Sequence, residues 1–181
     1  MSGRSAHAAP DVARLTQPMT SVLVAYASRR GGTVGIAEWI ARELLENGLE
    51  VELEPASLVD TELEHFDAAF IAGAVYEQRW HPDARRLVHR VAKEWKGTPV
   101  WLVASGPLTT LTAEHPAAVA PQLQRAATEV HARGTATFGG RLDEHPSGWL
   151  ANSVAKKHSG DFRDRAAVEL WAAQLAHELR G

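Results

Sequence analysis

Residues 21–47, SVLVAYASRRGGTVGIAEWIARELLEN, decide the fold. The run Val22-Leu23-Val24-Ala25-Tyr26 is almost wholly apolar and β-branched, as a strand buried on both faces requires. It passes through Ala27-Ser28-Arg29-Arg30-Gly31-Gly32-Thr33 into a segment where Ile36, Ile40 and Leu44, with Ala37 and Ala41, recur at helical spacing. Glu38, Arg42, Glu43 and Glu46 lie opposite, and Asn47-Gly48 predicts a left-handed stop. The loop between strand and helix combines small residues, hydroxyls, two arginines and two glycines. Backbone N–H groups at such a helix start have no intrahelical acceptor, so the segment predicts an anion cradle suited to phosphate.

Working outward, the same alternation repeats. Residues 50–55 read as a strand nearer an edge, and residues 68–73 as a buried strand ending in the loop 73–82. Pro82 starts a helix carrying Ala84, Leu87, Val88 and Val91 and ending near Lys96-Gly97. Residues 99–104 form a third buried strand that exits through Ser105-Gly106-Pro107-Leu108-Thr109. A helix follows from Pro121 to about Arg133, then a last strand over 134–142 with Gly139-Gly140 at its exit. A helix over 164–179 carries Val168, Trp171, Leu175 and Leu179 on one face. A helix is weak or missing over 57–65, and a short one is expected around 150–157. Buried strands alternating with amphipathic helices predict a parallel sheet with helices on both faces.

Composition narrows the functions. With 45% hydrophobic and 23% charged residues, the 181-residue chain suits one globular domain with a full core. A net charge of −3, with basic residues scattered among acids, gives no case for nucleic acid. No apolar run reaches the length of a membrane span. The absence of cysteine excludes disulfides, iron–sulfur clusters and thiolate metal sites and makes a reducing, cytoplasmic setting the expectation. Residues 1–20 lack apolar periodicity and read as a disordered leader before a domain over 21–181. Nine histidines offer no i, i+4 pair with a supporting carboxylate, so a metal site is not expected.

Three phosphate-binding patterns fail on particular residues. One Gly-Gly pair followed by Gly35 does not fit G-x-G-x-x-G. No lysine is present for a P-loop. The ends of the first and third strands, Tyr26-Ala27-Ser28 and Ala72-Gly73, lack the carboxylates of a phospho-accepting receiver.

Ser28-x-x-Gly31-x-Thr33 after an apolar strand resembles the flavodoxin phosphate loop. The likeness extends through FDAAFIAGAVYEQRWHPDARRLV, VWLVASGPL, TFGGRL and GDFRD, covering residues 21–179. Together these segments resemble the bacterial flavodoxin-domain proteins related to quinone-dependent protoporphyrinogen dehydrogenase. The resemblance implies a flavodoxin-like, doubly wound, five-stranded parallel sheet of order 2-1-3-4-5. It also implies FMN at the carboxyl ends of the strands. Its phosphate would be held by Ser28, Arg30, Gly31, Gly32 and Thr33. Its ring would lie between Ala74, Val75, Tyr76 and Trp80 on one loop and Ser105, Gly106, Pro107 and Leu108 on the other. Tyr76 or Trp80 either contacts the flavin or packs its own loop, and His81 reads as a solvated loop residue. No side chain presents itself as a required acid or base. The expected function is an FMN-dependent oxidoreductase or electron-transfer protein acting between a donor and a quinone, a protoporphyrinogen-like molecule or a redox protein. The competing class is a cofactor-free binding or assembly module. Trp39 and Trp95, expected on helix surfaces, are candidates for a homodimer contact.

Overall fold

The computed structural model describes residues 19–60, 63–76, 79–106, 121–142 and 160–181. Residues 1–18 of the leader, Pro107, Leu108 and the short helix expected around 150–157 lie outside the described residues.

Strand β1 (Ser21–Ala27) lies inside the sheet, its residues Val22 to Ala25 fully buried. It pairs in parallel with β2 (Glu50–Pro55) on one side and β3 (Ala68–Tyr76) on the other, Val24 lying opposite both Leu53 and Phe70. Beyond β3 come β5 (Val100–Gly106) and β6 (Gly134–Gly139), both parallel. The order β2-β1-β3-β5-β6 is the expected 2-1-3-4-5 once a two-residue strand, β4 (Arg79–Trp80), is counted. That strand turns back antiparallel on the end of β3, pairing Val75 with Trp80. The sequence reading missed it because two residues carry no periodicity.

Alternation along the strands splits the core in two. Leu23, Ala25, Ile71 and Leu102 face α2 (Pro82–Glu94) and α3 (Pro121–Glu129). Val22, Val24, Phe70 and Val103 face α1 (Gly32–Glu46) and α4 (Arg165–Arg180). The predicted apolar stripes do this packing: Ile36, Ile40 and Leu44 are fully buried, as are Val88 and Val168. Phe70 stacks on Trp101 with ring centroids 5.0 Å apart and meets Trp171 edge-on at 5.8 Å. Helix starts and stops follow the expected chemistry. Pro82 and Pro121 open α2 and α3, Asp164 Oδ1 accepts from Ala167 N at 3.0 Å to cap α4, and Gly48 takes φ +80° after α1.

Three expectations are corrected. The last strand does not run unbroken to Leu142. At Gly140 the chain crosses the end of β5, where a Cβ would lie 3.0 Å from Gly106 O. Residues Arg141–Leu142 (β7) instead form a ribbon with Gly160–Asp161 (β8). The third helix stops at Glu129 rather than near Arg133; over 57–65, where a helix was expected to be weak or missing, a 3-10 turn forms at Leu63–His65. Trp95 is not a surface residue. It is 7% exposed and packs against Phe66 with centroids 6.3 Å apart, which removes it as an interface marker. Among the described residues no helix is long and apolar enough to cross a membrane.

Candidate functional site

The parallel pairing of β1, β3 and β5 brings their carboxyl ends to one edge of the sheet, and three chain segments leave there. The first is the loop from Ala27 to Thr33. Gly31 serves as the N-cap of α1 with φ +75°, a left-handed conformation that favours glycine, and no side chain caps the helix. Thr33 is fully buried in the first turn and Ser28 is half-buried. Ser28 Oγ and Thr33 Oγ1 are both shielded from solvent, and neither has a hydrogen-bond partner among the described residues. A buried hydroxyl without a partner is uncommon and costs about 1–3 kcal/mol. Two of them beside an uncapped helix start make a donor set with the right chemistry for a phosphate. Arg30 stands half-buried in the same loop.

The second segment leaves β3. Ala74 is buried, and Val75 and Tyr76 are half-buried at the strand's mouth. Tyr76 joins the two loops. Its hydroxyl accepts from Arg29 N at 3.3 Å, the Arg29 guanidinium lies 5.8 Å from its ring centroid, and its edge meets the His81 ring at 6.4 Å. Trp80 takes the packing role of the two open to it. It is 1% exposed, and its indole N–H is shared between Gly73 O at 3.0 Å and Val103 O at 3.2 Å. A Cβ on Gly73 would collide with that indole, so glycine is what admits it. A ring held this way under the strand ends is not available to stack on a ligand.

The expectation of a solvated His81 is also corrected. The residue is 6% exposed. Its ring caps α2 by accepting from Asp83 N through Nδ1 at 3.2 Å, while its backbone N–H donates to Ala74 O at 2.9 Å. Burial pushes its pKa below the usual histidine value; Arg29 and Arg86 lower it further, and Asp83 opposes them. The third segment brings Ser105, buried, and Gly106, half-buried, beside Ala74 and Gly140.

Sequence reasoning assigned no role to the residues that brace the first loop. Arg163 donates through Nε to Asp161 Oδ1 at 2.8 Å and pairs with Oδ2 as well, a bidentate clamp. The pairing holds the Asp161 carboxyl below its ordinary range and raises the guanidinium's pKa. The guanidinium, its side chain only 12% exposed, lies 4.9 Å from the Trp39 ring centroid and donates from Nη1 to Gly32 O at 3.4 Å. A Cβ on Gly35 would collide with that Nη1. Gly35, Trp39 and Arg163 therefore interlock behind the phosphate loop, and the β7–β8 ribbon closes on its front, Arg141 N lying 3.2 Å from where a Gly32 Cβ would be. A glycine inside a helix and an arginine in GDFRD were the legible traces of this clamp. Trp39 thus meets another segment of its own chain. Among the described residues no cluster of histidine and carboxylate side chains is placed to hold a metal.

Comparisons with known proteins agree with this architecture. No curated protein matches the chain. Solved structures do, at low identity. A mutant form of the flavodoxin from Pseudomonas aeruginosa shares 16% identity at a TM-score of 0.58, the match covering 90% of this chain and all (100%) of that one. The flavodoxin of Streptococcus pneumonia TIGR4 shares 19% identity at 0.58 over 89% and 98% of the two chains. Rubredoxin oxygen:oxidoreductase from Desulfovibrio gigas shares 11% at 0.61, over 92% of this chain and 37% of that one. These likenesses speak for the fold. The family profile described as "Flavodoxin domain" matches residues 23–158, most of the chain and all three loops of the site. The chain therefore belongs to the flavodoxin domain family, whose cofactor is FMN.

Proposed function

We propose that this protein is an FMN-dependent electron-transfer flavoprotein, relaying electrons between a donor and a quinone or another redox partner. The observation that supports it most is the pair of buried, unpartnered hydroxyls, Ser28 Oγ and Thr33 Oγ1, at the uncapped start of α1. In this reading Ser28 and Thr33 donate to phosphate oxygens, as do the backbone N–H groups of Arg30, Gly31, Gly32 and Thr33. Gly31 supplies the left-handed turn that aims them, and the Arg30 side chain adds charge. Ala74, Val75 and Tyr76 border the ring on one side, and Ser105 and Gly106 on the other. Tyr76, the only aromatic of the two candidates left at the mouth, is the side chain that meets the flavin. Bound there, FMN supplies one- and two-electron redox chemistry, while the protein sets its potential and access.

A quinone or other small acceptor fits the chain better than a protoporphyrinogen. Residues 143–161 are short, and Lys156-Lys157 is their only basic pair, whereas the porphyrinogen-oxidising relatives carry a longer basic insertion there. The test is spectroscopic. Purified protein acquires the absorption bands of bound oxidised FMN on titration. A Ser28→Ala/Thr33→Val variant weakens FMN by at least about tenfold, the loss of two charge-assisted bonds, and leaves riboflavin, which lacks the phosphate, unaffected. A protein that stays colourless with FMN overturns the reading and leaves a cofactor-free module in its place. Reduced holoprotein assayed against menaquinone and protoporphyrinogen then separates the acceptors.

A further inference from the structure

We propose that the carboxyl edge of the sheet and the groove between α2 and α3 that opens onto it form a docking surface for an acidic electron-transfer protein. The proposal rests on the electron-transfer reading above and names the chemistry of the partner. The chain as a whole carries a net charge of −3, yet its charges are sorted. A groove of about 850 Å³ runs between α2 and α3 and is lined by Arg85, Arg86, Arg90 and Lys93 from one helix and Arg125 from the other. Its acids are already engaged: Glu94 pairs with Arg90 at 3.0 Å, and Glu129 with His89 at 2.6 Å. Asp83, at the head of α2, pairs with Arg86. Arg85, Lys93 and Arg125 are exposed and have no carboxylate partner among the described residues.

The groove joins the candidate site at its upper end. Gln122 Oε1 accepts from Trp80 N at 3.1 Å and from Arg85 Nη1 at 3.5 Å, so the head of the groove is built directly on β4. From there the positive rim continues to Arg79 and Arg29, both exposed and without an acidic partner among the described residues, Arg29 lying over Tyr76. The groove's own exposed carboxylates are the paired Glu94 and Glu129, and others stand away from it. Glu50 stands on the edge strand, and Glu46, Glu64 and Asp67 stand at the amino ends of the strands. The helix separates Arg85 from Lys93 by roughly 12 Å at 1.5 Å per residue, and Arg79 extends the row further. Cations spread over that length match the carboxylate patch of a protein; one small anion would engage only part of them. The row is interrupted by Glu94 and Glu129 and carries no exposed aromatic for stacking, which disfavours a nucleic acid.

The test is calorimetric titration of the full chain, loaded with FMN, with oxidised plant-type [2Fe–2S] ferredoxin as a carboxylate-rich probe. Basic cytochrome c and a single-stranded oligonucleotide serve as comparators. The expected result is ferredoxin binding that weakens about tenfold or more between roughly 20 and 200 mM salt, as exposed charge pairs become screened. Arg85→Glu/Lys93→Glu/Arg125→Glu abolishes that binding, with the FMN affinity unchanged, and Glu50→Lys at the far edge has no effect. The salt dependence of the unmodified protein needs no variant, and Lys93→Gln/Arg125→Gln gives a partial loss if the triple reversal fails to fold. Ferredoxin binding that ignores salt, survives the reversal, or is exceeded by cytochrome c or the oligonucleotide overturns the proposal. Heats are read with and without FMN, so failure to bind the cofactor sinks the FMN reading separately and leaves the docking result standing.

Discussion

The loops leaving β1 and β3 face each other across the same edge of the sheet and are built on opposite plans. In the first, two buried hydroxyls find no partner among the described residues and a helix start goes uncapped. In the second, the buried polar side chains are bound into the fold: the Trp80 indole N–H has two acceptors, and His81 caps α2. A protein buries unsatisfied polar groups at a cost, so it keeps them where a ligand satisfies them. The first loop thus presents bonding capacity outward, and the second turns its own inward and serves as a wall. Substitutions in the wall should damage folding, whereas those in the cradle should damage binding.

The strongest way to break that contrast is Trp80→Ala. Removing a 1% exposed indole from between Gly73, Val103 and Ala84 is expected to cost about 3–5 kcal/mol, read from the denaturation midpoint. Trp80→Phe keeps most of the volume but strips Gly73 O and Val103 O of a donor, at about 1–3 kcal/mol. If Trp80 instead stacked on the flavin, the phenylalanine variant would fold normally and lose FMN affinity. That outcome would return Trp80 to the binding site and erase the distinction between the loops.

A second substitution tests whether the cradle is held from behind. Gly35→Ala in a helix interior ordinarily stabilises by about 0.5–1 kcal/mol. Here the new methyl displaces the Arg163 guanidinium from its place between Trp39, Asp161 and Gly32 O. The expected sign is therefore reversed, a loss of about 1–2 kcal/mol, from a half-buried bidentate pair and its stacking partner. FMN affinity should fall while riboflavin affinity holds, because the clamp acts on the phosphate loop alone. A stabilised variant with unchanged FMN affinity would show the clamp to be ornamental to binding.

What the sequence made legible follows the range over which each feature is determined. The strand–loop–helix at 21–47 was readable because its signals are local: apolar runs, helical spacing, and Gly31 where φ is +75°. The sheet order followed from alternation and handedness, and the extra strand β4 shifts only its numbering. The fates of Trp80, His81 and Trp95 were not readable. Each is placed by a partner far away or by a turn of two residues. Trp80 is drawn under the sheet by a carbonyl 23 positions on, and His81 is buried because β4 folds back over β3. Arg163 meets Gly32 across 131 positions. Side chains of mixed polarity have no periodicity to announce such contacts, and aromatic residues on a loop look alike whether they face a ligand or the core.

The smallest expected effect concerns His81 in the wall. His81 is buried with its pKa depressed, first by desolvation and then by the nearby arginines, so the folded state disfavours the imidazolium. In the unfolded chain it titrates near the ordinary value of about 6.5. Above that pH neither state binds the proton and the stability due to this group is complete. As pH falls below it the unfolded chain takes up the proton first, and stability declines until the folded-state value is reached, where the decline levels off. Protonation also removes the Nδ1 lone pair that accepts from Asp83 N, so the acid form loses the α2 cap. His81→Asn keeps an N-cap acceptor and has nothing to titrate. It should match the parent near pH 8 and flatten that part of the stability profile lying just below about pH 6.5, measured by denaturation across pH. An asparagine variant with the parent's full acid slope would place the titration elsewhere. The FMN phosphate contacts belong to the other loop, so His81→Asn should leave FMN affinity at pH 8 unchanged; a coupled loss would mean that Tyr76, which touches both His81 and Arg29, transmits strain from wall to cradle.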